Sequence, residues 1–223
     1  MSELKVRNGG FTLIELVVVL AVTGVLVAAL APRAFVYFQD AKKTQAQNDV
    51  NLIANAIGQF GKDTALVPYK NNNSSAKVAA KQSGDYDCLY SSSGATVTTT
   101  LDSTGSLSWT SSGGVQCQSG QSVSLRDTIE NHLITNTPGG SSGNAYVITG
   151  RNAWRGPYLP SVPADPWGNS YLVNIGKGDP ALATKKAVWV ISAGPNGRFE
   201  TSADANASTV VTAAGDDVIA RVQ

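Results

Sequence analysis

Glu15 is the residue whose placement most needs a chemical reason, because it stands inside the apolar run FTLIELVVVLAVTGVLVAALA at residues 11–31. A carboxylate in such a segment is costly to place in a membrane and calls for a partner. Cutting the chain between Gly10 and Phe11 would free an α-amine roughly one helical turn away. Pairing Glu15 of one copy with that amine on a neighbour would penalise a lone subunit and set the axial register of an assembly. In the plainer alternative, Glu15 only snorkels to the interface. A second cluster is Glu200, Asp204, Asp216 and Asp217, set among Gly, Ser, Thr and Asn. Such an oxygen-rich loop suits Ca²⁺, although the regular spacing of an EF-hand is absent and a solvated acidic loop is the alternative. Cys88 and Cys117 lie in a Ser/Gly/Thr-rich stretch. Outside the cytosol they read as a disulfide closing a loop of roughly 30 residues, a contribution on the order of 3 kcal/mol, against an alternative of two buried thiols. His132, the single histidine, is expected on a helix surface or at a satisfied core edge. The chain shows no phosphate-binding glycine loop and no zinc-type ligand spacing, so a membrane-anchored enzyme is the weakest reading.

The elements that must position these residues begin with the apolar run, whose 21 residues would reach about 31 Å as a helix, enough to cross a hydrocarbon core. Lys5, Arg7, Gly9 and Gly10 precede it, and Pro32 and Arg33 follow. An ordinary secretory signal puts its small residues after the apolar region, whereas here they come before. A cut after Gly10 would remove a basic leader, residues 1–10, and leave the apolar segment attached. Lys+Arg would fall from 17 to 15 and Asp+Glu from 16 to 15, so the remaining side chains balance to zero. With only 15% charged residues and a net charge of +1, nothing points to nucleic acid as a partner. A basic leader before the run and a polar domain after it fit a leader on the cytoplasmic side.

The stretch KVRNGGFTLIELVVVLAVTGVLVAALAPR resembles the type III signal and N-terminal helix of type IV pilins and type II secretion pseudopilins. That resemblance implies cleavage after Gly10 by a prepilin peptidase, methylation of the Phe11 amine and a recruitment role for Glu15. It also implies that the helix loosens at Gly24 and Pro32 in the filament. The residues agree, since Pro32 lacks a helical N–H and Gly24 adds backbone freedom. Further along, GPYLPSVPADPWGNSY, VWVISAGPNGRFET and GDDVIARV resemble the C-terminal part of the major pseudopilin of type II secretion. In that group a loop after the last main strand holds Ca²⁺. The match implies Asp216 and Asp217 as side-chain ligands, with Glu200 and Asp204 as second choices. The chain departs from the pattern by a long insert at 64–150 and by extra residues between Gly197 and Asp216.

Past Pro32 the helix is expected to continue to about Asp63, with Val50, Ile53, Ile57 and Phe60 forming one apolar stripe. Lys42, Gln45, Asn48, Asp49, Asn55 and Gln59 form the opposite face. In the insert the turn at Asp102–Gly105 reads as a hairpin, and residues 122–134 as a helix starting near Ser124 or Asp127. Asn73 and Asn206 match the glycosylation sequon, a common chance match. Strands are expected at 145–149, 170–175 and 187–192. The proline-rich loop between the first two is expected to be clamped by Trp154, Tyr158 and Trp167. The fold class is α+β: a leader at 1–10, an apolar transmembrane or filament-core helix at 11–31, an amphipathic helix at 32–63, and a head at 64–223 on a small antiparallel sheet. The functional reading is a filament subunit, a secretion pseudopilin or alternatively a surface pilin, in the bacterial inner membrane with its head in the periplasm. Its partners would be further copies of itself, minor pilins or pseudopilins, the peptidase and an inner-membrane assembly platform. A tip adhesin is the third reading; tip subunits of the resembling family often lack the acid that Glu15 supplies.

Overall fold

The structure, a computed structural model, describes residues 10–68, 86, 88–95, 126–178, 187–201, 208 and 212–222. Cys117, Asp204, both sequons and the expected turn at 102–105 lie outside these residues. The chain divides into two compact units, residues 1–41 and 42–223.

In the first unit the dominant feature is the N-terminal part of helix α1, Leu13–Thr64. Its apolar side chains are exposed, from Phe11 at 92% through Leu20, Leu26 and Leu30 to Phe38. Thr23 returns its hydroxyl to the carbonyls of Val19 (2.8 Å) and Leu20 (3.1 Å), so it leaves no polar group facing an apolar environment. Among the described residues, no single helix is long and apolar enough to cross a membrane. The segments Leu13–Ala28 and Arg33–Thr64 satisfy that test together, by length and composition. The break covers the position of Pro32, which has no N–H for the helical ladder.

The second unit is built on the other half of α1. Ala46, Val50, Ile53, Ile57 and Phe60 are buried at helical spacing, as their periodicity requires. The helix ends one residue later than expected. Thr64 bonds back to the Phe60 carbonyl at 2.7 Å, and Ala65 turns into the left-handed region with φ 53°. Against this stripe lies a five-stranded sheet in the order β2-β1-β3-β4-β5. The strands are β1 Cys88–Tyr90, β2 Arg126–Thr128, β3 Leu172–Val173, β4 Trp189–Ser192 and β5 Val218–Arg221. The sheet is mixed rather than antiparallel, because β1 and β2 run parallel while the remaining pairs are antiparallel. Residues 91–125 between β1 and β2 are long enough to return the chain for a parallel pairing, which a hairpin cannot do.

Side chains alternate strictly across the sheet. Leu89, Val173, Val190, Val218 and Ala220 join the core under α1, whereas Cys88, Leu172, Trp189 and Ile191 join Phe199 in a second buried cluster. With both faces covered, the strands lack an apolar–polar alternation in sequence. Tyr171 donates its hydroxyl to Asp49 on α1 at 2.9 Å, tying helix to sheet.

Two expected elements change. Residues 145–149 do not form a strand: the Asn136 side chain donates to the Tyr146 carbonyl (3.0 Å) and accepts its N–H (2.7 Å), occupying the backbone groups that a ladder would use. The helix expected over 122–134 is reduced to α2, Ile129–Leu133, and its cap is Thr128, whose hydroxyl accepts the Asn131 N–H, rather than Ser124 or Asp127. Asp127 instead serves the core. It accepts from Thr128 and Asn131 through one oxygen and from the Gly139 N–H through the other, which also lies 2.9 Å from His132 Nε2. Burial works to raise the pKa of Asp127, and the His132 contact with the N–H bonds outweighs it, holding the carboxyl below its usual range. His132 is fully buried with Nδ1 2.6 Å from the Tyr146 hydroxyl, so it sits inside the core and not on a helix surface. The proline-rich loop is clamped as expected. Trp154 donates to the His132 carbonyl at 2.9 Å and meets Tyr158 edge-on at 5.7 Å, and Tyr158 in turn meets Phe60.

Phe60 joins α1, Tyr146 and Tyr158 in one contact. Phe60→Ala should lower the unfolding free energy of this unit by about 3–5 kcal/mol, with a reduced urea midpoint and an unchanged slope. A loss no larger than that of a surface substitution would contradict the packing described.

Candidate functional site

The chain carries two candidate sites, one in each unit. At the N-terminus, Gly10, Phe11 and Thr12 precede the first helical residue, and Gly10 and Phe11 are exposed. The Gly10–Phe11 bond therefore lies in non-helical, accessible backbone, the condition a peptidase needs.

Glu15 has a partner that the sequence reading did not assign. Its Oε2 accepts the Thr12 N–H at 2.8 Å and the Thr12 hydroxyl at 2.7 Å, and Thr12 Oγ1 accepts the Glu15 N–H at 3.3 Å. This reciprocal arrangement is a capping box, which satisfies backbone donors that the first turn leaves without carbonyls. The signal was present in the T-L-I-E spacing immediately before the apolar run. Glu15 thus finds local relief within its own chain, so relief does not depend only on another copy. Gly24 lies within α1 with open space where a Cβ would stand, so no contact among the described residues requires a glycine there. Pro32 falls in the break of α1.

The second site is the loop joining β4 to β5. Asp165 of the D-P-W-G-N motif organises its base, accepting the N–H groups of Trp167 (3.0 Å) and Asn169 (2.7 Å) and the Ser192 hydroxyl (2.6 Å). Asn169 in turn donates to the Gly194 carbonyl at 3.3 Å. Gly194 adopts φ 62°, and a Cβ there would collide with the Asp216 carbonyl; a Cβ on Gly215, at φ 57°, would overlap the Glu200 carboxylate. Both glycines are dictated by close approach as well as by conformation.

Three of the four acidic residues meet in this loop. Asp217 is 3% exposed and accepts the N–H groups of Glu200 (2.8 Å) and Thr201 (2.6 Å) through Oδ2. Asp216 accepts the Asn196 N–H at 3.0 Å, and Glu200 accepts the Asp216 N–H at 3.3 Å. Burial pushes Asp217 up to about 6, against the bonds from Thr201 and Glu200 and with a smaller push from the Glu200 charge. The Oδ1 atoms of Asp216 and Asp217 are buried without a hydrogen-bond partner. Two orphaned carboxylate oxygens fit a hard cation, which would supply the missing partner. Among the described residues, however, no three His, Cys, Asp or Glu side chains converge as a complete ligand set. The remaining ligands would have to be backbone carbonyls, water or residues outside the described ones. Cys88 is fully buried on β1.

Comparison with known proteins bears on both sites. The prokaryotic N-terminal methylation motif matches residues 5–31, the segment holding Gly10, Phe11 and Glu15. The family model of type II secretion system protein G matches residues 137–210, which include the D-P-W-G-N turn and the first half of the acidic loop. These matches support a type II secretion pseudopilin. The type II secretion system core protein G of Pseudomonas aeruginosa is 36% identical over 62 residues, covering 28% of this chain and 44% of that protein. The chain thus spans less than half of the curated relative it matches. No solved structure matches the chain. Neither family-model match reaches Asp216 or Asp217.

Asp217→Ala would leave the Glu200 and Thr201 N–H groups without their acceptor. The expected loss is about 1–3 kcal/mol in metal-free buffer, measured by denaturation of the 42–223 unit. An unchanged stability there would show that Asp217 does not latch the loop.

Proposed function

We propose that the chain is a major pseudopilin: a non-enzymatic subunit that is processed at its N-terminus and polymerises through α1 in a type II secretion system. The observation that carries this reading is the exposed apolar half of α1 headed by the Thr12–Glu15 cap, lying immediately after a glycine-bounded accessible bond. Such a surface is stable only in lipid or against other copies, because each large side chain left in water forgoes about 1.5–3 kcal/mol of burial. The type II secretion match over residues 137–210 favours this system over a surface pilus.

In the proposed sequence of events, the chain sits in the inner membrane with its second unit in the periplasm. A prepilin peptidase cuts after Gly10 and the Phe11 amine is methylated. The amine then competes with Thr12 for the Glu15 carboxylate of a neighbouring copy, which trades bonds from neutral donors for an ion pair in a low-dielectric setting. Assembly on an inner-membrane platform, with minor pseudopilins, extends the polymer. A structural Ca²⁺ at Asp216 and Asp217 and a Cys88–Cys117 disulfide hold the polar segments that have little core of their own.

Intact-mass analysis of the mature chain should give a start at methylated Phe11, with the mass lowered by the hydrogens lost in one disulfide. A mature chain that retains Met1 would refute processing. Glu15→Ala should still insert in the membrane and yield no filament; normal filaments from that variant would overturn the pairing. Chelation by EDTA should lower the melting temperature of the wild-type 42–223 unit and leave that of Asp217→Ala unmoved. An unmoved wild type would remove the calcium.

A further inference from the structure

Within the first unit the exposed surface of α1 changes chemistry at Pro32. Between residues 13 and 30 the large exposed side chains are aliphatic, whereas Phe35, Tyr37 and Phe38 are aromatic and 66%, 73% and 69% exposed. The remaining aromatic residue before Lys42 is Phe11, so aromatics stand at both ends of the aliphatic run and none stands inside it. Arg33 marks the junction. It is exposed and has no hydrogen-bond or ion-pair partner among the described residues, and neither has the Tyr37 hydroxyl. The first acid after Glu15 is Asp40.

Successive helical residues are turned by about 100°, so Tyr37 falls about 40° from Arg33, Phe38 about 140°, Phe35 about 200° and Val36 about 300°. These five side chains encircle the helix, and all five are exposed. A single protein neighbour engages one stripe of a helix, whereas apolar groups on every side need a surrounding medium. Length identifies that medium. Counted along the helix from Leu13, Arg33 lies about 30 Å on and Phe38 about 38 Å on. A hydrocarbon core is about 30 Å thick, and the polar layer on each side adds roughly 5–7 Å. Arg33 thus reaches the edge of the hydrocarbon, and the three aromatics fall in the headgroup layer, where such rings concentrate.

We propose that residues 33–38 form a collar that binds the headgroup of an anionic phospholipid before assembly, and this rests on the membrane placement proposed above. Arg33 and Tyr37 share one face at helical spacing, so one phosphate can take the guanidinium fork and the phenol hydroxyl together. An unpaired guanidinium is costly inside hydrocarbon or in a packed bundle of helices, and a phosphate at the hydrocarbon edge removes that cost. With no acid between Glu15 and Asp40, no carboxylate of this segment repels the lipid. Phe35, Phe38 and Val36 fill the boundary between headgroups and acyl chains around the remaining sides. The collar fixes the depth of the chain in the bilayer.

The test uses the full chain reconstituted in vesicles of phosphatidylcholine mixed with phosphatidylglycerol. A nitroxide on Val36→Cys, with the signal of the labelled unsubstituted chain subtracted, should lie in the headgroup layer, and one on Val22→Cys in the hydrocarbon. In native mass spectra from mixed micelles, the unsubstituted chain should retain phosphatidylglycerol about fivefold more than Arg33→Gln. The leader's Lys5 and Arg7 are common to both chains, so the difference reports Arg33. Equal retention, or a Val36 label in bulk water or at the bilayer centre, would overturn the collar and leave the membrane placement intact. A Val36 label shielded from both oxygen and a water-soluble relaxing agent would also overturn it, assigning the segment to neighbouring copies. A full chain that does not float with the vesicles would overturn collar and membrane placement together.

Discussion

The large apolar side chains described from Phe11 to Phe38 are exposed, with none of them buried against the described residues, and that deficit is the central constraint on the molecule. Burying that surface is the dominant free energy available to the protein outside its own core, and on the proposed function lipid or neighbouring copies supply the burial. The Thr12–Glu15 box starts the helix that displays it, and Thr23 hides its hydroxyl so that the display stays apolar. The second unit is independently compact, with a core of its own around Phe60 and Tyr171. One half of α1 is consumed in the core of the second unit, and the apolar side chains of the other half stay exposed.

Much of this was legible in the sequence for specific reasons. Helical spacing of Val50, Ile53, Ile57 and Phe60 located the packed face of α1, because a stripe facing a single sheet leaves a clear period. The proline-rich loop was legible from its aromatics. Other features were not. Strand order and the parallel β1–β2 pair depend on residues distant in sequence, and the uniformly apolar strands hide which face meets α1. The strand expected at 145–149 failed because one side chain, Asn136, captured its backbone groups. Local propensity cannot foresee such a bond.

The candidate sites divide in the same way. The residues expected to serve cleavage and membrane insertion cluster in a short contiguous motif, so spacing alone names the candidates. The capping role of Thr12 was also written there, in T-L-I-E, and needed only the recognition that an acid inside an apolar run can serve its own backbone first. The acidic loop is different. The chemistry offered four acids and the resemblance singled out Asp216 and Asp217, but the loop that carries them rests on Asp165, Asn169 and Gly194, about 20–50 residues earlier. Sequence spacing does not reveal that a turn after one strand orients carboxylates before another.

The central claim is that the exposed apolar residues of the 1–41 unit carry the dominant drive to assemble. Sedimentation in detergent-free buffer tests it most directly, comparing the full chain with one that begins at Lys42. The shortened chain should sediment as a folded monomer, and the full chain should be recovered only with membranes or as polymer. A full chain that remains monomeric without detergent, or a shortened chain that polymerises equally, would contradict it.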